Sequence, residues 1–386
     1  MILAIPKETF PGERRVAVVP TVIPLLVKAG YEVLVQTDAG TEAGFTDAAY
    51  TEKGATIAPD RATLFAKGDV LLMVRTPGAN PEAGQADTEM LREGQILIGM
   101  ADPTTDPAVA QAVAAKGAVL FSMELIPRIS RAQSMDCLSS MATLAGYKSV
   151  LLAAVHLPKM FPMMMTAAGT IAPAKVFIVG VGVAGLMAIA QARKLGAVVE
   201  AYDVRPAVKE QVQSLGAKFV EMELDAADSE DKGGYAKAMD EEFYRKQREL
   251  MTRVIAANDV VITTAAIPGR KAPVLVTEAM VKGMHPGSVI VDLAAATGGN
   301  CELTRPDETV LAHGVTILGP TNLASELAMD ASRMYAKNIT TLLLNMTKDG
   351  AVELDKDDEI VLGTMVTRHG KVVHPMVLNK LGQGDN

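Results

Sequence analysis

The chain has 386 residues, 49% of them hydrophobic and 21% charged, with a formal net charge of −8. Length and composition predict an ordinary globular protein of two domains, and the acidic balance argues against nucleic acid or an anionic membrane as the main partner. Cys137 and Cys301, the two cysteines, make no disulfide framework and no CxxC pair, and no apolar run approaches the roughly 18 residues of a membrane span, so a soluble cytoplasmic protein is expected.

The start Met1-Ile2-Leu3-Ala4-Ile5-Pro6-Lys7-Glu8 reads as a strand followed by charge, not as a signal peptide. Strands are predicted at 2–5, 32–36, 70–74, 95–100 and 118–121, and helices at 22–29, 60–66 and 106–115. That alternation predicts a first α/β domain with a parallel sheet. It carries no glycine fingerprint, so no nucleotide is assigned to it. From 134 to 156 the spacing of Met135, Leu138, Met141, Leu144, Val150 and Leu151 predicts a long apolar helix that links the domains. A loop is expected over 160–173.

The run Lys175-Val176-Phe177-Ile178-Val179-Gly180-Val181-Gly182-Val183-Ala184-Gly185 reads as a buried parallel strand driven into a helix. Gly180 allows the tight turn, Gly182 lets a pyrophosphate approach the backbone, and Gly185 permits close helix–strand packing. The helix N-terminus then offers unpaired N–H groups to phosphate. A lone GxGxxG is weak, but here a second strand at 197–202 ends on Asp203, about 20 residues on, as the dinucleotide fingerprint requires. A carboxylate at that tip accepts ribose hydroxyls of NAD and repels the 2′-phosphate of NADP. Arg205 is the complication, since an arginine can accommodate that phosphate; the carboxylate favours NAD(H).

Further strands are expected at 260–264, 288–292 and 315–318, completing a doubly wound sheet, with an acidic, glycine-bearing insertion over 225–234 before Tyr235 that reads as a floppy loop or a mobile lid. A second long helix is predicted at 325–346 to return the chain to domain one, then strands at 360–366 and 371–373. The domains are expected at 1–136 with 330–386, and at 137–329. The fold class is thus α/β: two Rossmann-like domains with parallel sheets, linked by two long helices.

A dehydrogenase acting on an alcohol or amine needs an acid–base group near the reacting carbon. None of His156, His285, His313, His369 and His374 is well placed for that, and no cluster has metal-ligand spacing. Hydride transfer between two nicotinamides moves no proton and needs only alignment, water exclusion and a docking surface. The candidate for that task is the polar loop 127–136, which on pattern alone is also readable as an interdomain turn with Asp136 in the first turn of the linking helix.

The motif Arg128-Ile129-Ser130-Arg131-Ala132-Gln133-Ser134-Met135-Asp136, followed by Leu138-Ser139-Ser140 and Leu144-Ala145-Gly146-Tyr147, resembles the NAD(H)-binding part of proton-translocating nicotinamide nucleotide transhydrogenases. So do Thr166-Ala167-Ala168-Gly169, Gly233-Gly234-Tyr235-Ala236-Lys237, Ile267-Pro268-Gly269 and Gly298-Gly299-Asn300-Cys301. The resemblance runs over nearly the whole chain. It implies an NAD(H)-binding component, usually dimeric, that hands hydride directly to NADP(H) on a partner domain, while membrane subunits couple this to proton movement. Such a component is active only with those partners and peripheral to the inner membrane through them.

By matching positions, the resemblance implies that Arg128, Gln133, Asp136 and Ser139 surround the nicotinamide and its ribose, with Ile129, Ser130, Arg131, Ser134 and Met135 of the same motif also binding the cofactor. Gln133 would reach towards the second nucleotide. Val181, Gly182 and Val183, with Gly180 and Gly185, would hold the pyrophosphate, and Asp203, Val204 and Arg205 the adenosine end. Gly234 and Tyr235 would belong to a closing loop, Tyr235 joining Arg128, Gln133 and Asp136 in catalysis. Gln247, Ala266 and Gly269 match further nucleotide-contacting positions. The chain departs from the pattern at Ala266, where the family has leucine, and at Ala324 and Glu326, where it has proline and arginine.

The same plan resembles alanine dehydrogenase, but that enzyme requires a lysine and a histidine in its first domain. Here Met73 and Arg75 stand where the lysine would be sought, and Ile96-Leu97-Ile98-Gly99-Met100 holds no histidine. A non-catalytic NAD sensor is the remaining alternative.

Overall fold

Short apolar runs bounded by glycine, proline and charge fold here as parallel strands buried on both faces. Five of the six residues of Val70–Arg75 and four of the five of Lys175–Val179 are buried, as expected of strands covered on both sides. The computed structural model describes residues 1–221, 241–266 and 271–382. The insertion 225–234 and the residues Gly234, Tyr235 and Gly269 lie outside the described residues. Two units form, Met1–Met141 with Ala324–Asn386, and Ala142–Leu323.

In the first unit an eight-stranded sheet runs in the order Lys371–Val372, Met365–Arg368, Val119–Ser122, Ile96–Met100, Val70–Arg75, Ile2–Ile5, Glu32–Gln36, Thr56–Ala58. Its first two strands are antiparallel additions; the other six are parallel. The core on one face joins Leu71, Met73 and Leu97 to Leu64, Phe65 and Val113 of the covering helices.

The second unit holds a seven-stranded sheet in the order Lys218–Phe219, Val198–Tyr202, Lys175–Val179, Val260–Thr263, Val289–Asp292, Val315–Leu318, Thr309–Ala312. Register pairs Ile178 with Ala201 on one side and Ile262 on the other. Alternation divides the strands between two cores. Val176, Ile178 and Ile262 meet Ala188, Ile189 and Ala192 of helix Val183–Lys194. Phe177, Val179 and Val261 meet Met251, Val254 and Ile255 of helix Glu241–Ala256. Strand order reverses between Lys175–Val179 and Val260–Thr263, the place where open α/β sheets bind ligands beyond the strand carboxyl ends.

Several expectations need correction. The segment 360–366, read as a strand, is the helix Glu359–Thr364 followed by strand Met365–Arg368. A short apolar run does not declare its period; the Asp358 carboxylate decides it by accepting the Ile360 N–H at 2.8 Å, and Thr364 Oγ1 bonds back to the Ile360 carbonyl. The loop 160–173 contains an exposed hairpin, Met164–Thr166 against Gly169–Ile171. The polar loop 127–136 contains a 3-10 helix, Ser130–Met135, and the linking helix runs Cys137–His156. That helix is long and apolar enough, by length and composition, to cross a membrane, against the expectation that no segment is; its Val150 and Ala153 are wholly buried in the core of the second unit. The second long helix is Ala328–Asn345, preceded by a 3-10 turn, Leu323–Leu327, in which the second passage between units falls.

Candidate dinucleotide site

Gly180 ends its strand at φ +94°, a conformation other residues rarely adopt. The chain then turns into helix Val183–Lys194, whose cap is Gly182. A Cβ on Gly185 would lie 2.0 Å from the Gly180 carbonyl oxygen, so only glycine lets helix and turn meet. Around Gly182 the opposite holds: a Cβ there would meet nothing within 4 Å. The open face at Gly182 and the first-turn N–H groups that lack intrahelical acceptors fit a pyrophosphate group. Val183 is exposed beside this face, and Val181 is buried beneath it.

Asp203 stands beyond strand Val198–Tyr202 and already accepts four hydrogen bonds. Its Oδ2 accepts the Val181 N–H at 2.8 Å and Arg205 Nη2 at 2.9 Å; its Oδ1 accepts the Arg205 N–H and Nε, both at 2.9 Å. Val181 thus directs its N–H to Asp203 and braces the turn. Val204, between the paired residues, is half-buried against the neighbouring core.

Across the switch point, Thr264 Oγ1 donates to the Gly180 carbonyl at 2.9 Å, and Asn300 both accepts the Ala265 N–H at 3.0 Å and donates to the Ala265 and Pro273 carbonyls at 2.8 Å. Asn300 is held in turn by Asp292, a wholly buried carboxylate that accepts the N–H groups of Ala294, Asn300 and Cys301 and the hydroxyls of Thr263 and Thr304. Sequence reasoning missed Thr264 and Asp292; Asn300 was visible only within a longer motif. Ala266, exposed, follows this clamp. Gln247 is buried, and its Nε2 donates to the Tyr202 hydroxyl at 3.0 Å. Burial pushes that hydroxyl up to about 12, with the Gln247 bond acting the other way.

Within the first unit, the motif residues lie on one short stretch of chain. In the 3-10 helix Ser130–Met135, Ala132 and Met135 point inward at the i, i+3 spacing of that helix type. Ser130, Arg131, Gln133 and Ser134 are exposed, as is the preceding Arg128, while Ile129 is half-buried. Asp136 caps the long helix: its carboxylate accepts the Ser139 N–H at 2.9 Å and the Ser139 hydroxyl at 2.6 Å. The residues expected around a nicotinamide thus include two, Asp136 and Ser139, tied to each other.

Beside the carboxyl ends of the first sheet lies a group of buried charges. Glu13 grips Arg15 through Nε at 2.6 Å and Nη2 at 2.5 Å, and accepts Arg75 Nε at 3.0 Å. The Arg75 guanidinium also lies 4.0 Å from the Phe10 ring centroid. Burial acts to raise the Glu13 carboxyl, but the Arg15 hydrogen bonds and both arginine charges outweigh it and hold it near 2. Glu8 accepts the Val74 and Arg75 N–H groups, yet burial, and then the Glu13 charge, push its carboxyl to about 7. The folded chain keeps this proton between about pH 4.5 and 7 while the unfolded chain loses it, so stability falls as pH rises through that window. Chemical denaturation at pH 5 and 7.5 should show a loss on the order of 3 kcal/mol from this group, and Glu8→Gln should flatten the dependence. Equal slopes in both proteins would remove Glu8 as its source. Among the described residues no group of three or more His, Cys, Asp or Glu is placed to hold a metal ion.

Family models described as "Alanine dehydrogenase/PNT, N-terminal domain" and "Alanine dehydrogenase/PNT, C-terminal domain" match residues 4–145 and 149–375. An NAD(P) transhydrogenase subunit alpha chain of Rhodospirillum rubrum is 49% identical over the full length of both chains. A crystal structure of transhydrogenase from Sinorhizobium meliloti, 44% identical, superposes with a TM-score of 0.87 over 97% of this chain and 100% of that one. Alanine dehydrogenase from Bacillus subtilis is 28% identical over 99% of this chain and 95% of its own. The transhydrogenase likeness is much the stronger, and the chain belongs to the NAD(P) transhydrogenase alpha subunit family.

Proposed function

We propose that this chain holds NAD(H) and passes hydride directly to NADP(H) carried on a partner domain, within a dimeric, proton-translocating assembly whose membrane subunits lie on other chains. The observation that carries the reading is the open face at Gly182, between the Gly185 contact and the Asp203 carboxylate. Gly182 and the N–H groups of the first helical turn receive the pyrophosphate. Asp203 stands at the adenosine ribose and disfavours a 2′-phosphate there. Arg205, already forked onto Asp203, orients that carboxylate instead of recruiting phosphate. Arg128, Gln133, Asp136 and Ser139 act on the nicotinamide end. When bound, the reduced nicotinamide supplies the hydride; the side chains orient and shield it, and none needs to move a proton.

The alanine dehydrogenase reading is disfavoured by chemistry. Arg75 and Arg15, both suited to a substrate carboxylate, are engaged by Glu13, and where that enzyme carries its lysine and histidine this chain has Met73, Arg75 and the run 96–100.

Titration with NADH and NADPH, followed by nicotinamide fluorescence, tests the nucleotide assignment. NADH should bind at least about tenfold more tightly, about 1.4 kcal/mol; preference for NADPH would overturn it. Asp203→Ala should weaken NADH binding by roughly 1.5–3 kcal/mol, the scale of hydrogen bonds to a charged group. Unchanged affinity would remove Asp203 from the adenosine end.

A further inference from the structure

The exposed turn Ser130–Met135 is pinned by segments of the first unit more than 200 residues away in sequence. Arg131 Nη1 and Nη2 donate to the two carboxylate oxygens of Asp358, each at 2.9 Å, a fork-to-fork pair. The same Asp358 caps helix Glu359–Thr364, and that helix lies against the start of the loop. A Cβ on its Gly363 would sit 3.8 Å from Pro127 Cδ and 3.9 Å from the Leu125 carbonyl oxygen. On the other side, Asn338 Nδ2 of helix Ala328–Asn345 donates to the Ser134 carbonyl at 2.9 Å. Ala132 and Met135 complete the fixation from beneath. Gln133 is left between these fixed points, exposed.

We propose that Arg131 is a positioning residue and not a nucleotide ligand: its fork with Asp358 sets the stance of the turn from which Gln133 acts on hydride transfer. This rests on the transfer function proposed above. The guanidinium edge that would meet a phosphate or a ribose is turned to Asp358, whose carboxylate these bonds hold at about 2, ionised throughout the working pH range. Arg131 is half-exposed, and Asp358 keeps the Ile360 N–H and Lys356 at 4.0 Å when the fork is lost, so the expected effect on stability is small. Alignment of a reacting ring is far less tolerant, since a displacement of about 1 Å can cost about a hundredfold in rate.

Three single variants separate the roles. Arg131→Ala removes the fork; Asp358→Asn keeps an oxygen for the Ile360 N–H, because asparagine caps a helix as well as aspartate, but removes the ionic fork; Arg131→Lys restores charge without the paired geometry. In the free chain, amide hydrogen exchange at Ala132–Met135 should accelerate in Arg131→Ala and Asp358→Asn, while exchange in helix Val183–Lys194 stays unchanged. NADH affinity should stay within roughly threefold of wild type, whereas transfer to an NADP(H)-loaded partner at saturating NADH falls about tenfold in both. The double variant should be no slower than either single, and Arg131→Lys should lie between.

Two results overturn the proposal. One is a tenfold or greater loss of NADH affinity in Arg131→Ala that Asp358→Asn does not share, which makes Arg131 a ligand. The other is wild-type exchange and transfer in both variants. If the wild-type chain itself transfers nothing, the function reading fails and the exchange measurement alone decides whether the pair holds the turn.

Discussion

Gly185→Ala is expected to unfold the nucleotide turn, and Gly182→Ala to leave it intact but closed to ligand. At Gly185 the added methyl meets a backbone carbonyl at 2.0 Å, which cannot rotate away as a side chain can. Helix Val183–Lys194 has to move off the sheet, at about 3 kcal/mol, the upper range of overpacking. NADH binding should be lost with it. At Gly182 the methyl enters open space at φ −84°, an ordinary backbone value, so thermal stability should hold or rise slightly through reduced freedom of the unfolded chain. The methyl then stands where a pyrophosphate approaches, and NADH affinity should fall by tenfold or more, at least about 1.4 kcal/mol. Calorimetry and fluorescence titration of the two proteins read the contrast. Equal NADH affinity in Gly182→Ala and wild type would move the phosphate site elsewhere.

Gln133→Ala should produce the largest change in rate with the smallest change in binding. The side chain is exposed and stands on a turn whose neighbours are fixed by Ala132, Met135, Arg131 and Asn338. An amide so presented can bridge two bound nucleotides without much affecting the affinity for one. Loss of alignment should slow transfer by about a hundredfold or more, while NADH affinity changes by no more than about threefold. Stopped-flow transfer at saturating nucleotide, beside equilibrium titration, separates the two. Losses of equal size would mean that Gln133 binds substrate and does not align it.

What was readable in advance follows from the range of the interactions concerned. The strand–Gly180–helix turn is local: one positive φ, one close approach at Gly185 and a carboxylate about 20 residues on are written into consecutive residues. The engagement of Asp203 by Arg205 and Val181 was not readable, because it depends on side-chain rotamers as well as on order in sequence. The turn at Ser130–Met135 looked like a loop since a six-residue 3-10 helix offers only two buried positions, Ala132 and Met135, too few to show a period. Helix Glu359–Thr364 looked like a strand for the same reason, and only the Asp358 cap distinguishes them. The contacts that fix the turn, Arg131 with Asp358 and Ser134 with Asn338, lie 227 and 204 residues apart. No local pattern reaches so far. Nor does one reveal Asp292, whose five hydrogen bonds organise a loop from beneath a strand end.

A chain that presents a reduced nicotinamide to a second coenzyme must pass its hydride without exchange with water. NADH carrying deuterium on the transferred face, bound to this chain and mixed with an NADP⁺-loaded partner domain, should yield NADPH that retains the label in a single turnover. Label lost to solvent, or oxidation of alanine by the unaided chain in the presence of NAD⁺, would contradict direct transfer between nucleotides.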